Sequence, residues 1–167
     1  MTLAEFNALD SASAKQELLR CCGCGRWADG VATARPFKDK ESLFAAADAA
    51  WAQTAEKEWL EAFSHHPRIG GKDALREKFA ATKSWAQGEQ AGAAAANEAT
   101  LDALAAGNED YEAKFGHIFI VCATGKSAAE MLDLLKSRLP NDARSEIRLA
   151  AAEQHKITKI RLEKLIP

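Results

Sequence analysis

The sequence has no long hydrophobic run and no excess of charge of one sign. Nowhere in its 167 residues do the ~18 consecutive apolar residues of a membrane span occur, and the opening MTLAEFNALD has no basic stretch followed by an apolar one. The 22 Lys and Arg residues nearly balance the 24 Asp and Glu residues. We therefore expect a cytoplasmic protein with no affinity for membranes or nucleic acid, whose partner is a small molecule.

Cysteine is sparse, and its spacing is unlike that of a metal site or a disulfide framework. Cys21, Cys22 and Cys24 fall together in CCGCG, whereas Cys122 lies far away. Zinc sites use paired Cys motifs, and small secreted domains carry many cysteines. Buried reduced thiols are the preferred interpretation, and no metal ligand set can be assembled.

β-Branched residues are also scarce, and turn signals lie too far apart for a sheet. Alanine, leucine, glutamate and lysine, all strong helix formers, dominate instead. No internal repeat, long linker or charge block marks a boundary. We predict an all-α fold: a compact single-domain multi-helix bundle over residues 1–167, with one short buried extended segment.

Apolar residues that recur every three or four positions predict the helices. One long helix should follow residues 35–37 and end near His65, because Pro67 lacks the amide hydrogen of a further turn. A second helix should end at Gly116. The extended segment is expected in HIFIVCATG, residues 117–125, although a helical turn is an alternative there.

Helix starts are predicted from capping residues. Ser84 with Gln87, and Ser127 with Glu130, have the spacing of capping boxes. Asn141 can cap the last helix. These three positions predict helices that begin shortly after each of them.

The stretch HHPRIGG, residues 65–71, is the first candidate for chemistry. A proline directly after His66 fixes the backbone, and the glycines let the chain turn away, which suits a preorganised general acid or base. The alternative is a simple helix end. Zinc is not favoured, because adjacent imidazoles do not converge as those at i and i+4 do.

Arg161 and Glu89 are the other unusual charges. Arg161 shares the inward face of the last helix with Ile147, Ala150, Ala151, Gln154, Thr158 and Leu165. It either pairs with an internal carboxylate or binds a ligand, and Gln154 has the same ambiguity. Glu89, in GEQAG, lies either at a tight helix contact or beside a substrate, where a helix N-terminus would keep it ionised.

Five stretches resemble a known family when taken in order: RPFKD (35–39), HPRIGG (66–71), GEQAG (88–92), YEAKFGHIFIVCATG (111–125) and AAAEQHKITKIRL (150–162). The sequence is similar, from about Phe6 to Leu165, to the 2-oxo-4-hydroxy-4-carboxy-5-ureidoimidazoline (OHCU) decarboxylases. The resemblance implies an all-helical, cofactor-free, dimeric enzyme. Its reaction would be the decarboxylation of OHCU to (S)-allantoin, the last step from urate to allantoin in purine catabolism.

The resemblance also implies the site residues. His66 would be the general acid or base, oriented by Glu89. Substrate would be bound by residues spread over the chain: Pro67, Ser84, Gln90, Phe119, Ile120, Val121, Cys122, Ala123 and Arg161. Ala86 stands where many members have a serine, so Ser84, Gln87 or a water would replace that hydroxyl.

Two other functional classes remain. A non-catalytic all-helical interaction module would use Arg161 in a buried structural pair and HHPRIGG as a helix stop. A metal-dependent hydrolase would use His65, His66, His117 or the cysteines, and would bind metal stoichiometrically.

Overall fold

The computed structural model describes residues 1–66, 73, 75–77 and 90–167, with residues 90–96 described by their backbone alone. Within these ranges the chain forms helices and no strand, which confirms the all-α prediction. The helices are α1 (Leu3–Ala8), α2 (Ser11–Cys21), α3 (Gly25–Thr33), α4 (Lys40–Ala52), α5 (Glu56–Ser64), α6 (Gln90–Phe115), α7 (Ala128–Arg138) and α8 (Ala143–Leu165). None of these described helices could span a membrane.

Two predicted helix ends are confirmed by local hydrogen bonds. The Ser127 hydroxyl accepts from the amide of Glu130 at 3.2 Å, and the Glu130 carboxylate accepts from the amide of Ser127 at 2.7 Å, which completes the capping box of α7. Gly116 ends α6 with a positive φ of 75°, a conformation that glycine adopts without steric cost. Ser84 lies outside the described residues.

The predicted cap of the last helix is off by one residue. Asp142, not Asn141, precedes α8, and its carboxylate accepts from the amide of Ser145 at 2.9 Å. Asn141 instead donates its side-chain amide to the buried carboxylate of Glu146 at 2.9 Å. A carboxylate at the N-cap also complements the helix dipole.

The long helix predicted after residues 35–37 is in fact two helices. The Thr54 hydroxyl donates to the carbonyl of Trp51 at 2.6 Å and accepts from the indole N–H of Trp59 at 2.9 Å. These side-chain bonds compete with helical pairing, so α4 ends at Ala52 and α5 restarts at Glu56. The predicted stop near His65 is confirmed, because α5 ends at Ser64.

The described residues pack as two compact units. The first contains residues 1–66, 120–122 and 149–167, and the second contains the described parts of 67–119 and 123–148. A single domain over residues 1–167 stays a prediction. The first unit has an apolar core whose largest members are Phe6, Leu18, Trp27, Leu43 and Leu162.

The second unit is built around a buried ion pair. Arg138 on α7 binds Glu146 on α8 at 2.5 Å, and the hydroxyl of Tyr111 on α6 donates to the same carboxylate. Burial, followed by the bond to Glu146, raises the pKa of Tyr111. These contacts join α6, α7 and the start of α8.

Residues 117–123 connect α6 to α7 without helical structure, which excludes the helical-turn alternative for this segment. His117, Ile120 and Cys122 are buried, as predicted for a core-facing segment. The segment is paired to no strand in the described part of the chain.

Candidate active site

His66 lies directly after α5, at the edge of the described residues, and is partly buried. The amides of His65 and His66 donate to the carbonyls of Ala62 and Phe63 at 3.3 and 3.1 Å, which extends the last turn of α5 by two residues. The imidazole is therefore carried by a hydrogen-bonded helix end.

The ring of His66 is bound by a glutamine that is distant in sequence. Nε2 of His66 lies 2.5 Å from Oε1 of Gln154, on α8. Gln154 in turn donates from Nε2 to the hydroxyl of Thr158 at 3.2 Å. The side chains of both α8 residues have no solvent exposure. Gln154 is thus a partner of His66. The sequence alone left open whether Gln154 has a structural or a ligand-binding role.

Arg161 lies on the same face of α8, seven positions after Gln154, and is partly buried. Its Nη1 donates to the carbonyl of Cys21 at 3.2 Å. Cys21 is the last residue of α2, where carbonyls lack helical partners and the helix dipole is negative. Among the described residues Arg161 forms no ion pair, so its predicted structural role in a carboxylate pair is not observed in that part of the chain.

The N-terminal cysteines are free and buried, as predicted. Burial raises the pKa of Cys21 to about 11 and that of Cys22 to about 12, so both thiols stay protonated at neutral pH. In the described ranges no three His, Cys, Asp or Glu side chains are grouped as metal ligands.

Gly23, between these cysteines, lies against the ring of His65. A Cβ atom built on Gly23 would overlap the Cβ and Cγ atoms of His65 and would lie 2.7 Å from Cδ2. Only glycine allows this approach. Gly23 therefore helps to set the position of the turn that carries His66.

The predicted substrate-binding segment is anchored to α8 at Cys122. The backbone N–H of Cys122 donates to the Glu153 carboxylate at 2.7 Å, and Ile120 is buried. Residues 120–122, which include Val121, belong to the same compact unit as His66 and Arg161. The structure therefore brings these predicted site residues into one unit, with Glu153 as an anchor that the sequence did not indicate.

Phe119 and Ala123, the two ends of the predicted segment, belong to the second unit. The ring of Phe119 packs edge-on against Tyr111 at 5.1 Å and lies 4.7 Å from the guanidinium of Arg138. His117 also packs against Tyr111, with ring centroids 5.6 Å apart.

The remaining predicted site residues fall outside the described residues, or are described by their backbone alone. Pro67, Ser84 and Glu89 lie outside the described residues, as does Ala86. Gln90 begins α6, but its side chain is not among those described. Orientation of His66 by Glu89 therefore stays a prediction.

This chain is similar in sequence to a known protein family and to several known proteins. The model of the OHCU decarboxylase family matches residues 7–163. The uric acid degradation bifunctional protein TTL of Arabidopsis thaliana is 40% identical over 148 residues, which are 87% of this chain and 45% of that protein. The 2-oxo-4-hydroxy-4-carboxy-5-ureidoimidazoline decarboxylase of Xenopus laevis is 31% identical over 97 residues, 58% of this chain and 55% of that protein. The chain thus spans about half the length of these two relatives.

Two solved structures are also similar. A crystal structure of (S)-allantoin synthase aligns with 99% of this chain and 54% of its own, with a TM-score of 0.72, and at 19% identity it shows the fold alone. A crystal structure of OHCU decarboxylase in the presence of (S)-allantoin is 38% identical, with a TM-score of 0.69 over 89% of this chain and 96% of that one. With a family match over nearly its whole length, this chain belongs to the OHCU decarboxylase family.

Proposed function

We propose that this chain is a carbon-carbon lyase that decarboxylates OHCU to (S)-allantoin without a cofactor. The observation that carries the proposal is that the imidazole of His66 binds Gln154 on α8, and that Arg161 extends from the same face of α8 to the carbonyl of Cys21. With a rise of about 1.5 Å per residue, Gln154 and Arg161 are about 10 Å apart along the axis of α8. The family match supports the choice of reaction.

The reaction requires the protein to position the substrate and to transfer protons. The substrate carries its carboxylate on a hydroxyl-bearing carbon next to a ring C=N bond. As carbon dioxide leaves, the electron pair of the broken carbon-carbon bond moves into this imine. His66 takes or shares the hydroxyl proton, and a proton is then delivered to one face of the ureido-bearing carbon.

The other predicted residues bind and orient the substrate. The planar guanidinium of Arg161 has five donors, of which described residues use one, and it binds a polar edge of the ligand. Gln90 would bind another edge, while Glu89 would orient His66. Backbone groups of residues 119–123 would contact the ring.

The proposal also covers the oligomeric state and the cellular location of the protein. We propose a cytoplasmic homodimer that uses a small-molecule substrate and no metal. Each of these statements is open to direct measurement by sedimentation, by cell fractionation and by elemental analysis of the purified protein.

The reaction is tested by generating the unstable substrate from urate in situ and adding the protein. The optical activity of the allantoin then distinguishes the two routes. Without the enzyme the intermediate can be protonated on either face, whereas the enzyme should deliver the proton to one face. Rapid appearance of one enantiomer is expected. If the protein leaves the spontaneous decay unchanged, the proposal is wrong and a non-catalytic helical interaction module becomes the better interpretation.

A further inference from the structure

The short segment between α2 and α3 contacts the supports of two candidate site residues. We propose that residues 21–23, the first three of the CCGCG motif, are the positioning element of the site: they hold the turn of His66 and the side chain of Arg161 in a fixed relation, with Cys22 as the central positioning residue. The inference rests on the proposed function for the roles of His66 and Arg161. It goes further by assigning a role to a motif that the proposed reaction leaves unused. All of these residues belong to the first compact unit.

Cys21 supports Arg161 through its backbone. The Nη1 of Arg161 donates to the carbonyl of Cys21 at 3.2 Å. Because Cys21 is the last residue of α2, its carbonyl has no acceptor role within the helix and is available to a side chain. The acceptor is a main-chain atom, so any displacement of residues 21–23 also displaces the partner of the guanidinium.

Gly23 supports the turn of His66. A Cβ atom built on Gly23 would overlap Cβ and Cγ of His65, so the backbone of the glycine lies directly against this residue. The amides of His65 and His66 belong to the same hydrogen-bonded turn at the end of α5. Since no side chain of Gly23 separates the two, a movement of the segment also moves the turn.

Cys22 lies between these two contacts, and its thiol reaches a third support of the site. The side chain has no solvent exposure and interacts with the hydroxyl of Thr158 on α8. That hydroxyl donates to the carbonyl of Gln154 at 3.0 Å and accepts from its side-chain N–H at 3.2 Å. Gln154 in turn lies 2.5 Å from Nε2 of His66. Side-chain contacts therefore lead from His66 to the thiol.

The contact between Cys22 and Thr158 uses a protonated thiol. Burial raises the pKa of Cys22 to about 12, so the thiol keeps its proton at neutral pH. The single hydroxyl proton of Thr158 is directed to Gln154, and the Thr158 oxygen is left to accept from the thiol. Because both side chains have no solvent exposure, removal of the thiol creates a cavity, into which the neighbouring backbone can shift.

Cys24 is the matched comparison, because it is equally buried and has a different role. Its Sγ accepts from the amide of Trp27 at 3.4 Å and so caps the first turn of α3. The contact stays within that helix. A change at Cys24 should therefore lower the stability of the protein without moving His66 or Arg161.

The test compares Cys22→Ala with Cys24→Ala in the full-length protein, by steady-state kinetics and thermal unfolding. In Cys22→Ala, kcat should fall and KM should rise, each about tenfold, which is less than the ~100-fold effect of a 1 Å misplacement. Cys24→Ala should lower the melting temperature and leave kcat and KM unchanged. Cys22→Ser keeps a donor of similar size, so it should restore both constants.

Nuclear magnetic resonance of the side chains gives a second readout that needs no substrate. The ring signals of His66 and the Nε–H signal of Arg161 can be assigned with the His66→Asn and Arg161→Lys variants. Both sets should shift in Cys22→Ala and keep their wild-type positions in Cys24→Ala. If Cys22→Ala fails to fold, Thr158→Val removes the other half of the contact and should give the same result in both measurements.

Three results overturn the inference. The first is a folded Cys22→Ala protein with wild-type kinetic constants and side-chain signals. The second is a change confined to His66 or to Arg161, which would contradict a shared support. The third is an equal loss of kcat in Cys24→Ala, which would make the effect one of general packing.

Failure of the proposed function is visible separately. A wild-type protein that forms no excess of (S)-allantoin would refute the proposed reaction. The comparison of side-chain signals would still show whether residues 21–23 support both His66 and Arg161.

Discussion

The close contact between Gly23 and His65 predicts a large effect from a single methyl group. In Gly23→Ala the new Cβ would overlap the Cβ and Cγ atoms of His65. These atoms lie next to the backbone, so rotation of the side chain cannot relieve the overlap, and the turn that carries His66 must move.

The size of the displacement follows from the distances. The new Cβ would lie 2.7 Å from Cδ2 of His65, whereas ordinary contact begins at 3.4 Å and extends to 4 Å. The turn must therefore shift by about 1 Å. A shift of about 1 Å would stretch the bond between His66 and Gln154 from 2.5 Å beyond the usual hydrogen-bond range.

The expected cost falls on both activity and stability. A misplacement of about 1 Å can reduce turnover about 100-fold, and overpacking costs about 1–3 kcal/mol. For a chain of this size, the melting temperature should fall by roughly 2–4 °C per kcal/mol. The assay is the rate of (S)-allantoin formation, with the melting temperature measured on the same preparation.

Gly25→Ala is the matched control. A Cβ on Gly25 would meet the Glu61 carboxylate at 3.5 Å, an ordinary contact, so this variant should keep its activity and stability. If Gly23→Ala is as active and as stable as Gly25→Ala, the contact with His65 does not position the catalytic turn.

Three further predictions concern the surroundings of the site. Arg161→Lys keeps the charge but loses the planar donors, so KM should rise about tenfold with little change in kcat; an unchanged KM in steady-state kinetics would exclude Arg161 from substrate binding. Because burial raises the pKa of Cys21 to about 11 and that of Cys22 to about 12, unfolded thiols ionise first as pH rises. The contribution of these two thiols to the free energy of unfolding should therefore be fully present below pH ~9 and be lost as pH rises toward these values. Urea unfolding at a series of pH values measures this loss. If the free energy of unfolding of a Cys21→Ala/Cys22→Ala variant falls as steeply with pH, the thiols are not its cause. Glu153→Gln replaces a charge-assisted bond to the amide of Cys122 by a weaker one. Hydrogen exchange at that amide should therefore become faster, and KM should rise. Identical exchange rates in the two proteins would show that Glu153 does not hold the segment.

Much of the helical fold could be predicted because its signals are local. Ser127 and Glu130 form a cap within one turn, and Gly116 ends a helix through its own backbone conformation. The break between α4 and α5 was missed because it depends on the side-chain bonds of Thr54, which an apolar repeat does not register. Leu60, an apolar residue within the predicted long helix, is 39% exposed.

The candidate site was predictable only in part, for the same reason. His66 and Arg161 stand out by residue type within their own segments. The partner of His66, however, is 88 residues away in the chain, and an amide on an apolar helix face does not reveal what it binds. The contact of Gly23 with His65 is likewise a product of packing.

The proposed role of His66 is tested most directly by comparing His66→Asn with the wild type in the in situ urate assay. His155→Asn is the matched control, because His155 lies on α8 bound to Asp48 and stacked on Trp51, apart from the His66 contacts. The prediction is that His66→Asn folds normally and leaves allantoin to form at the spontaneous rate without handedness, while His155→Asn forms the (S) enantiomer rapidly. Rapid formation of (S)-allantoin by a folded His66→Asn protein would contradict the central claim.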